Sequence, residues 1–217
     1  MKNLFVLFTC SLLLFSSCTK DIIRGNGKIV TEDRQVEPFS EVQVVGNFDL
    51  NIHYGNDRSV KLETDANILP FLLTEVDDDV LHISYESDQV VINDRSTVTV
   101  TIPEIKNIVA VGNPSVLVSG NFSNADLEFS GTGNGSFDLN RGPLERADIT
   151  TSGNFHVNAF DTEIESCLVM MHGQGRAELK VEHELEVEIN GNGRVYYKGD
   201  PTVITTINGN GKVIKAQ

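Results

Sequence analysis

The sequence predicts an all-β chain folded as a single parallel β-helix, or β-solenoid, with coils of about 18–21 residues. Three observations predict it. A pattern of glycine, amide, a third residue, a usually polar residue and an apolar one recurs at Gly25, Gly46, Gly112, Gly133, Gly153, Gly173, Gly191 and Gly209. From Gly112 onward the spacings are 21, 20, 20, 18 and 18 residues, and Gly25 to Gly46 is again 21. Apolar residues also fall at even offsets on both sides of these glycines, as Leu185, Val187, Ile189, Val195 and Tyr197 do around Gly191. A period near twenty marks stacked units that cannot bury their apolar faces alone. Period-two alternation marks strands with one buried face.

The first seventeen residues lie outside this pattern. Lys2, the apolar run over residues 4–15 and the small pair Ser16-Ser17 read as a secretory signal, 1–17. Such a run is too short for a bilayer core of roughly 30 Å. The ending Leu14-Phe15-Ser16-Ser17-Cys18 resembles a bacterial lipoprotein signal, in which the cysteine is lipidated and becomes the new N-terminus, although Phe15 stands where leucine is usual. The alternative is a plain signal with an incidental cysteine. The lipoprotein reading makes Cys18 the membrane anchor, residues 18–24 a short tether of about 20 Å, and the protein an exported, outer-membrane component of the cell envelope. Residues 25–217 are then one solenoid domain.

Composition removes several function classes. With Cys10 in the signal and Cys18 lipidated, Cys167 has no disulfide partner, so packing and backbone hydrogen bonds must hold the fold. Loss of Lys2 takes the net charge from −14 to −15, which argues against nucleic acid as a partner.

Taken in order, residues 25–105 read as less regular N-terminal coils. Val42, Val44, Leu50 and Ile52 alternate around Gly46-Asn47, and 60–62, 80–83 and 98–102 read as strands. Residues 66–72 suggest one helical turn around Pro70. Asp77-Asp78-Asp79 reads as a turn, because no calcium-loop spacing follows it. Residues 106–217 carry the regular coils. Leu127, Phe129, Phe137 and Leu139 sit at even, inward offsets, as do Val169, Met171, Ala177 and Leu179. Cys167 shares that register and reads as a small core residue.

Two architectures could produce these repeats. Asn-Gly between alternating strands is a strong hairpin signal. A three-residue hairpin loop, however, needs positive φ at its last residue, which suits Gly193 and Gly211 but not Phe48, Phe155 or Pro114. A bend inside a coil tolerates that variation and is favoured. It would stack the amides Asn113, Asn134, Asn154, Gln174, Asn192 and Asn210 as a hydrogen-bonded ladder at about 4.8 Å per rung.

The mature chain resembles the head GIN domain family of auto-transporter adhesins. The resemblance rests on Arg34, Val36, Phe39, Val42, Val44, Gly46, Phe48, Asp49 and Leu50, on Val98-Thr99-Val100-Thr101-Ile102-Pro103 leading to Ile108, Ala110 and Gly112, and on the glycine-amide repeats. It implies a right-handed β-helix, a lipoprotein and an adhesive role. No translocator barrel is read in the sequence, so the auto-transporter part of the description finds no support.

No catalytic residue, metal ligand or cofactor is expected. There is no Gly-x-Ser-x-Gly elbow, no Cys/His zinc spacing and no phosphate loop. The best candidate binding face is a stripe at one odd offset, His156, Arg176, Arg194 and Lys212, with His172 and Tyr196 in adjacent slots. It suits an anionic sugar or phosphate. The plainer reading is a set of solvated charges balancing the acidic row Glu128, Asp148, Glu186 and Glu188. The expected function is non-enzymatic, adhesin-like or structural, acting through a repetitive solenoid face on a surface glycan or envelope protein. The alternative is a carbohydrate-binding or carbohydrate-active β-helix, and the last coil leaves homo-oligomers open.

Overall fold

The computed structural model describes residues 21–87 and 89–217. The signal 1–17 and Cys18 lie outside the described residues. The chain starts with β1 (Asp21–Arg24) and β2 (Ile29–Arg34), then makes a first coil from β3 (Glu41–Gly46) and β4 (Asp49–Tyr54). It next forms β5 (Ser59–Asp65), a 3-10 turn at Leu69–Phe71, β6 (Leu72–Asp77), β7 (Val80–Tyr85), β8 (Gln89–Ile92) and β9 (Thr97–Ile102). Regular coils follow through β10 (Asn107–Gly112), β11 (Ser115–Gly120), β12 (Asp126–Gly133), β13 (Ser136–Arg141) and β14 (Leu144–Gly153). The last are β15 (His156–Gly173), β16 (Arg176–Gly191), β17 (Arg194–Lys198), β18 (Thr202–Gly209) and β19 (Lys212–Lys215).

The coils stack as a β-solenoid. Strands before the bend pair in parallel from coil to coil, as β12 does with β10 and β14, and strands after the bend do the same, as β13 does with β11 and β15. Glycine meets glycine throughout: Gly112↔Gly133, Gly133↔Gly153, Gly153↔Gly173, Gly173↔Gly191 and Gly191↔Gly209. Hairpins would pair antiparallel, so this register decides for the bend. The positive φ sits at the first glycine of each bend, from +105° to +156° at Gly46, Gly112, Gly133, Gly153, Gly173, Gly191 and Gly209.

The stack is not in chain order. β3 lies between β7 and β10, and β4 between β9 and β11, so the first coil is the second rung. The segment between them leaves the stack, builds an antiparallel cap and returns on its far side. In that cap β6 pairs with β7, β5 with β9, and β2 with β5, all antiparallel. Residues 25–105 therefore mix coil strands with a cap. Gly25 is not a coil bend: its N–H bonds to Ile92 O at 3.2 Å, beside a two-stranded parallel pair of β1 and β8. That pair also takes up residues 21–24, read from sequence as tether. Asp78 and Asp79 adopt φ of +47° and +68° in the β6–β7 turn.

The even-offset residues fill the interior. Val44, Ala110, Met171 and Ile189 are 0% exposed, and so are Phe129, Phe137 and Phe155. Phe129 and Phe137 stack with centroids 4.0 Å apart, and Phe155 meets Phe129 edge-on at 5.6 Å. Burying each such ring contributes about 1.5–3 kcal/mol. The third bend residue is large where its neighbours are small: a methyl on Gly135 would meet the Phe155 ring at 2.5 Å, and Gly131 faces the same ring. Among the described residues, one buried even offset carries a charge. Arg141 is 5% exposed and donates to Phe122 O (3.2 Å) and Asn124 O (2.7 Å). Burial lowers its pKa to about 10.

Side-chain amides stack along the bend. Asn113 Nδ2 donates to Asn47 Oδ1 (2.7 Å), Asn134 to Asn113 (3.0 Å), Asn154 to Asn134 (2.8 Å) and Asn210 to Asn192 (3.2 Å). Gln174 stands between the two runs and joins through its backbone, N–H to Gly153 O at 3.0 Å.

Candidate functional site

Two outward faces are presented, one before and one after the bend. On the face after the bend, parallel register places His156 opposite Arg176, Arg176 opposite Arg194, and Arg194 opposite Lys212. At about 4.8 Å per strand this column spans about 14 Å. The alternation that sends Val157, Ala177 and Val195 into the core forces these four outward. On the other side of His156 the column continues through Ser136 and Ser115 to Asp49. The positive stripe is thus confined to the last four rungs.

The neighbouring column carries Asp138, Asn158, Glu178 and Tyr196. Glu178 is the organising group. Its Oε1 accepts from Arg176 Nη2, and its Oε2 lies 3.2 Å from His156 Nε2. Partial burial pushes its carboxyl up, but the bonds and charges of Arg176 and His156 more than offset this and hold it below the ordinary carboxylate value. The Arg176 guanidinium lies over the Tyr196 ring, 4.3 Å from its centroid. Arg194 and Lys212 form no ion pair among the described residues. Farther along the face, Lys198 sits 4.7 Å over the Phe160 ring, and Lys180 pairs with Glu163 at 2.8 Å.

His172 is on the other face. It stands in the column Ser152, His172, Asn190, Asn208, with Nδ1 3.4 Å from Asn190 Nδ2. The acidic row is there too, with Glu128, Asp148, Leu168 and Glu186 in one column and Glu188 beside it. The stripe is therefore balanced by Glu178 on its own face, not by that row. Glu178 occupies the next odd offset after Arg176, so the alternation already marked it as outward. Asn47, the first amide of the ladder, stands in the Gly46 bend, where the repeat itself marks it.

Toward the cap, the same face holds a shallow groove of about 390 Å³, lined by Asp49, Asn51, Ser115, Asp138, Asn158 and Asp161 among others. Asn158 Nδ2 donates to Asp138 Oδ1 at 3.1 Å. The groove offers carboxylates, amides and hydroxyls in one strip beside the positive column. Cys167 is elsewhere, buried at 3% exposure, with burial pushing its thiol up to about 12. It holds no thiolate at neutral pH. No helix among the described residues is long and apolar enough to cross a membrane.

A family model described as "Putative auto-transporter adhesin, head GIN domain" matches residues 38–201. No curated protein matches. Among solved structures, a putative adhesin from Bacteroides fragilis superposes with a TM-score of 0.69 at 18% identity, over 89% of this chain and 100% of its own. A putative lipid binding protein from Parabacteroides distasonis gives 0.58 at 19%, over 91% and 100%. A putative adhesin from Parabacteroides merdae gives 0.53 at 20%, over 91% and 100%. At these identities the likeness is one of fold.

Proposed function

The chain belongs to the family described as "Putative auto-transporter adhesin, head GIN domain", and on that premise we propose that it is an exported, non-enzymatic adhesin-like protein that binds an anionic surface glycan along its C-terminal rungs. The observation that carries this reading is the in-register column His156, Arg176, Arg194 and Lys212 on a chain of net charge −14. A repeating cation at strand spacing suits a polymer with repeating anions. Each contact is weak, and their number supplies the affinity. Arg194 and Lys212 supply free cations, while Tyr196 offers an aromatic surface that Arg176 holds in place. A lipid on Cys18 would keep this face near the outer membrane.

The groove beside the stripe favours a second reading, a carbohydrate-binding or carbohydrate-active β-helix. Its carboxylates, amides and hydroxyls match the donors and acceptors of a neutral sugar.

A glycan array probed with the purified protein and with Arg176→Ala/Arg194→Ala separates the two. Binding to anionic glycans that the double variant loses supports the stripe. Binding to neutral glycans that the variant keeps moves the site to the groove. Absence of binding by either overturns both and leaves an envelope protein as the partner to seek.

A further inference from the structure

The segment Gly25-Asn26-Gly27 copies the bend pattern without making a coil, and it encloses a carboxylate. Asp65, at the end of β5, is 1% exposed. Its Oδ1 accepts from the Gly27 N–H, while its Oδ2 is buried with no hydrogen-bond partner among the described residues. A buried, uncompensated carboxylate oxygen is costly in any fold. This oxygen faces Gly25 together with the carbonyl of Asn93: a methyl built on Gly25 would stand 2.6 Å from Asp65 Oδ2 and 2.6 Å from Asn93 O.

Those atoms border a recess of about 360 Å³, lined by Gly25, Gly27, Asp65, Asn93, Asp94 and Arg95. Asp94 is firmly positioned. Its Oδ1 accepts from the Ser96 N–H (2.8 Å) and hydroxyl (2.5 Å), and its Oδ2 accepts from the Tyr85 hydroxyl. Two carboxylates and a carbonyl thus border one small space, which contains no histidine or cysteine.

We propose that this recess is a divalent-cation site, with Asp65 Oδ2, the Asn93 carbonyl and the Asp94 carboxylate as protein ligands and water completing the shell. An all-oxygen donor set with no histidine or cysteine disfavours zinc, whose sites are built mainly on those ligands. Calcium fits better than magnesium, because it accepts irregular shells of carboxylate, carbonyl and water oxygens. No three acidic, histidine or cysteine side chains cluster as a metal site among the described residues, so backbone and water oxygens must supply the remaining bonds. Arg95 also borders the recess, but it is exposed and forms no ion pair among the described residues, so it can yield to an entering cation. The ion would join two segments far apart in sequence, the end of β5 and the loop before β9, beside the β1–β2 loop whose Gly27 N–H holds the other Asp65 oxygen. Its binding would lock the cap that closes the stack.

Terbium luminescence tests the site, because the sequence has four tyrosines and no tryptophan and the Tyr85 hydroxyl touches Asp94. The purified protein should sensitise terbium emission, excess calcium chloride should quench it, and magnesium chloride at equal concentration should not. Calcium should also raise the melting temperature at fixed ionic strength. Asp65→Asn should weaken terbium binding at least tenfold, and Glu186→Gln, on the far face, should leave it unchanged. Asp94→Asn should weaken terbium binding likewise, which serves if Asp65→Asn does not fold, and Tyr85→Phe should remove the emission. No calcium-dependent shift in the parent protein, undiminished binding by Asp65→Asn, or full emission from Tyr85→Phe would each overturn the proposal.

Discussion

Gly112 lies directly over Gly46, although 66 residues of chain separate them. The two pair in register, and the Asn113 N–H donates to Gly46 O at 3.1 Å. Asn113 Nδ2 donates to Asn47 Oδ1 at the same level. The same contact recurs 21 residues later, where the Asn134 N–H donates to Gly112 O at 3.0 Å. Spatial stacking is thus uniform where the sequence spacing is not. The glycine is required because a Cβ on Gly112 or Gly133 would collide with the carbonyl of the glycine beneath, at φ of +108° or +120°.

Gly133→Ala should therefore destabilise the protein by about 3 kcal/mol or more, combining strain and collision. Gly142→Ala, where the new methyl would find only contacts of 3.6 Å and beyond, should change stability by less than about 1 kcal/mol. Urea denaturation of both variants checks the contrast. Equal losses would remove the glycine stack as the determinant of register.

The amide ladder predicts a graded series. Asn134 bonds to amides above and below, Asn192 to one, and Gln174 to neither through its side chain. Asn134→Ala should cost about 1–2 kcal/mol, Asn192→Ala less, and Gln174→Ala within about 0.5 kcal/mol of zero. Denaturation midpoints at constant slope give the order.

Cys167 makes stability pH-dependent on the alkaline side. Burial raises its thiol from 9.0 to about 12, so the unfolded chain ionises first and stability falls as pH rises through that window. The parent protein should lose about 1.4 kcal/mol per pH unit there relative to Cys167→Val. Native Cys167 should resist alkylation at pH 9 until the protein is unfolded.

Glu178 restrains the positive stripe. Glu178→Gln removes the charge that engages Arg176 and His156, so affinity for an anionic glycan should rise severalfold, with a steeper loss on adding salt. Surface plasmon resonance at two ionic strengths reads both effects. An unchanged affinity would place the binding surface elsewhere.

The coils were legible because alternation and period are local properties. Val157, Ala177 and Val195 point inward for the reason that His156, Arg176 and Arg194 point outward, and each fact is written within five residues of a glycine. The rung order was not legible, because nothing near Gly46 or Gly112 records that 66 residues leave and return between them. Gly25 misled for the same reason: its local pattern is that of a bend, but its N–H bonds to Ile92 O and it packs against Asp65 and Asn93, all fixed by the cap. Within the stripe, the column was readable from offsets. The clamp of Glu178 on Arg176 and the placement of His172 across the bend depend on which strands share a face.

The multivalent reading is tested most directly by the affinity of the purified protein for anionic oligosaccharides of increasing length. Contact along a column of about 14 Å predicts that affinity climbs steeply until the oligosaccharide spans His156 to Lys212 and then levels off, with the climb lost in Arg176→Ala/Arg194→Ala. An affinity independent of length, or a climb that the double variant retains, would contradict it.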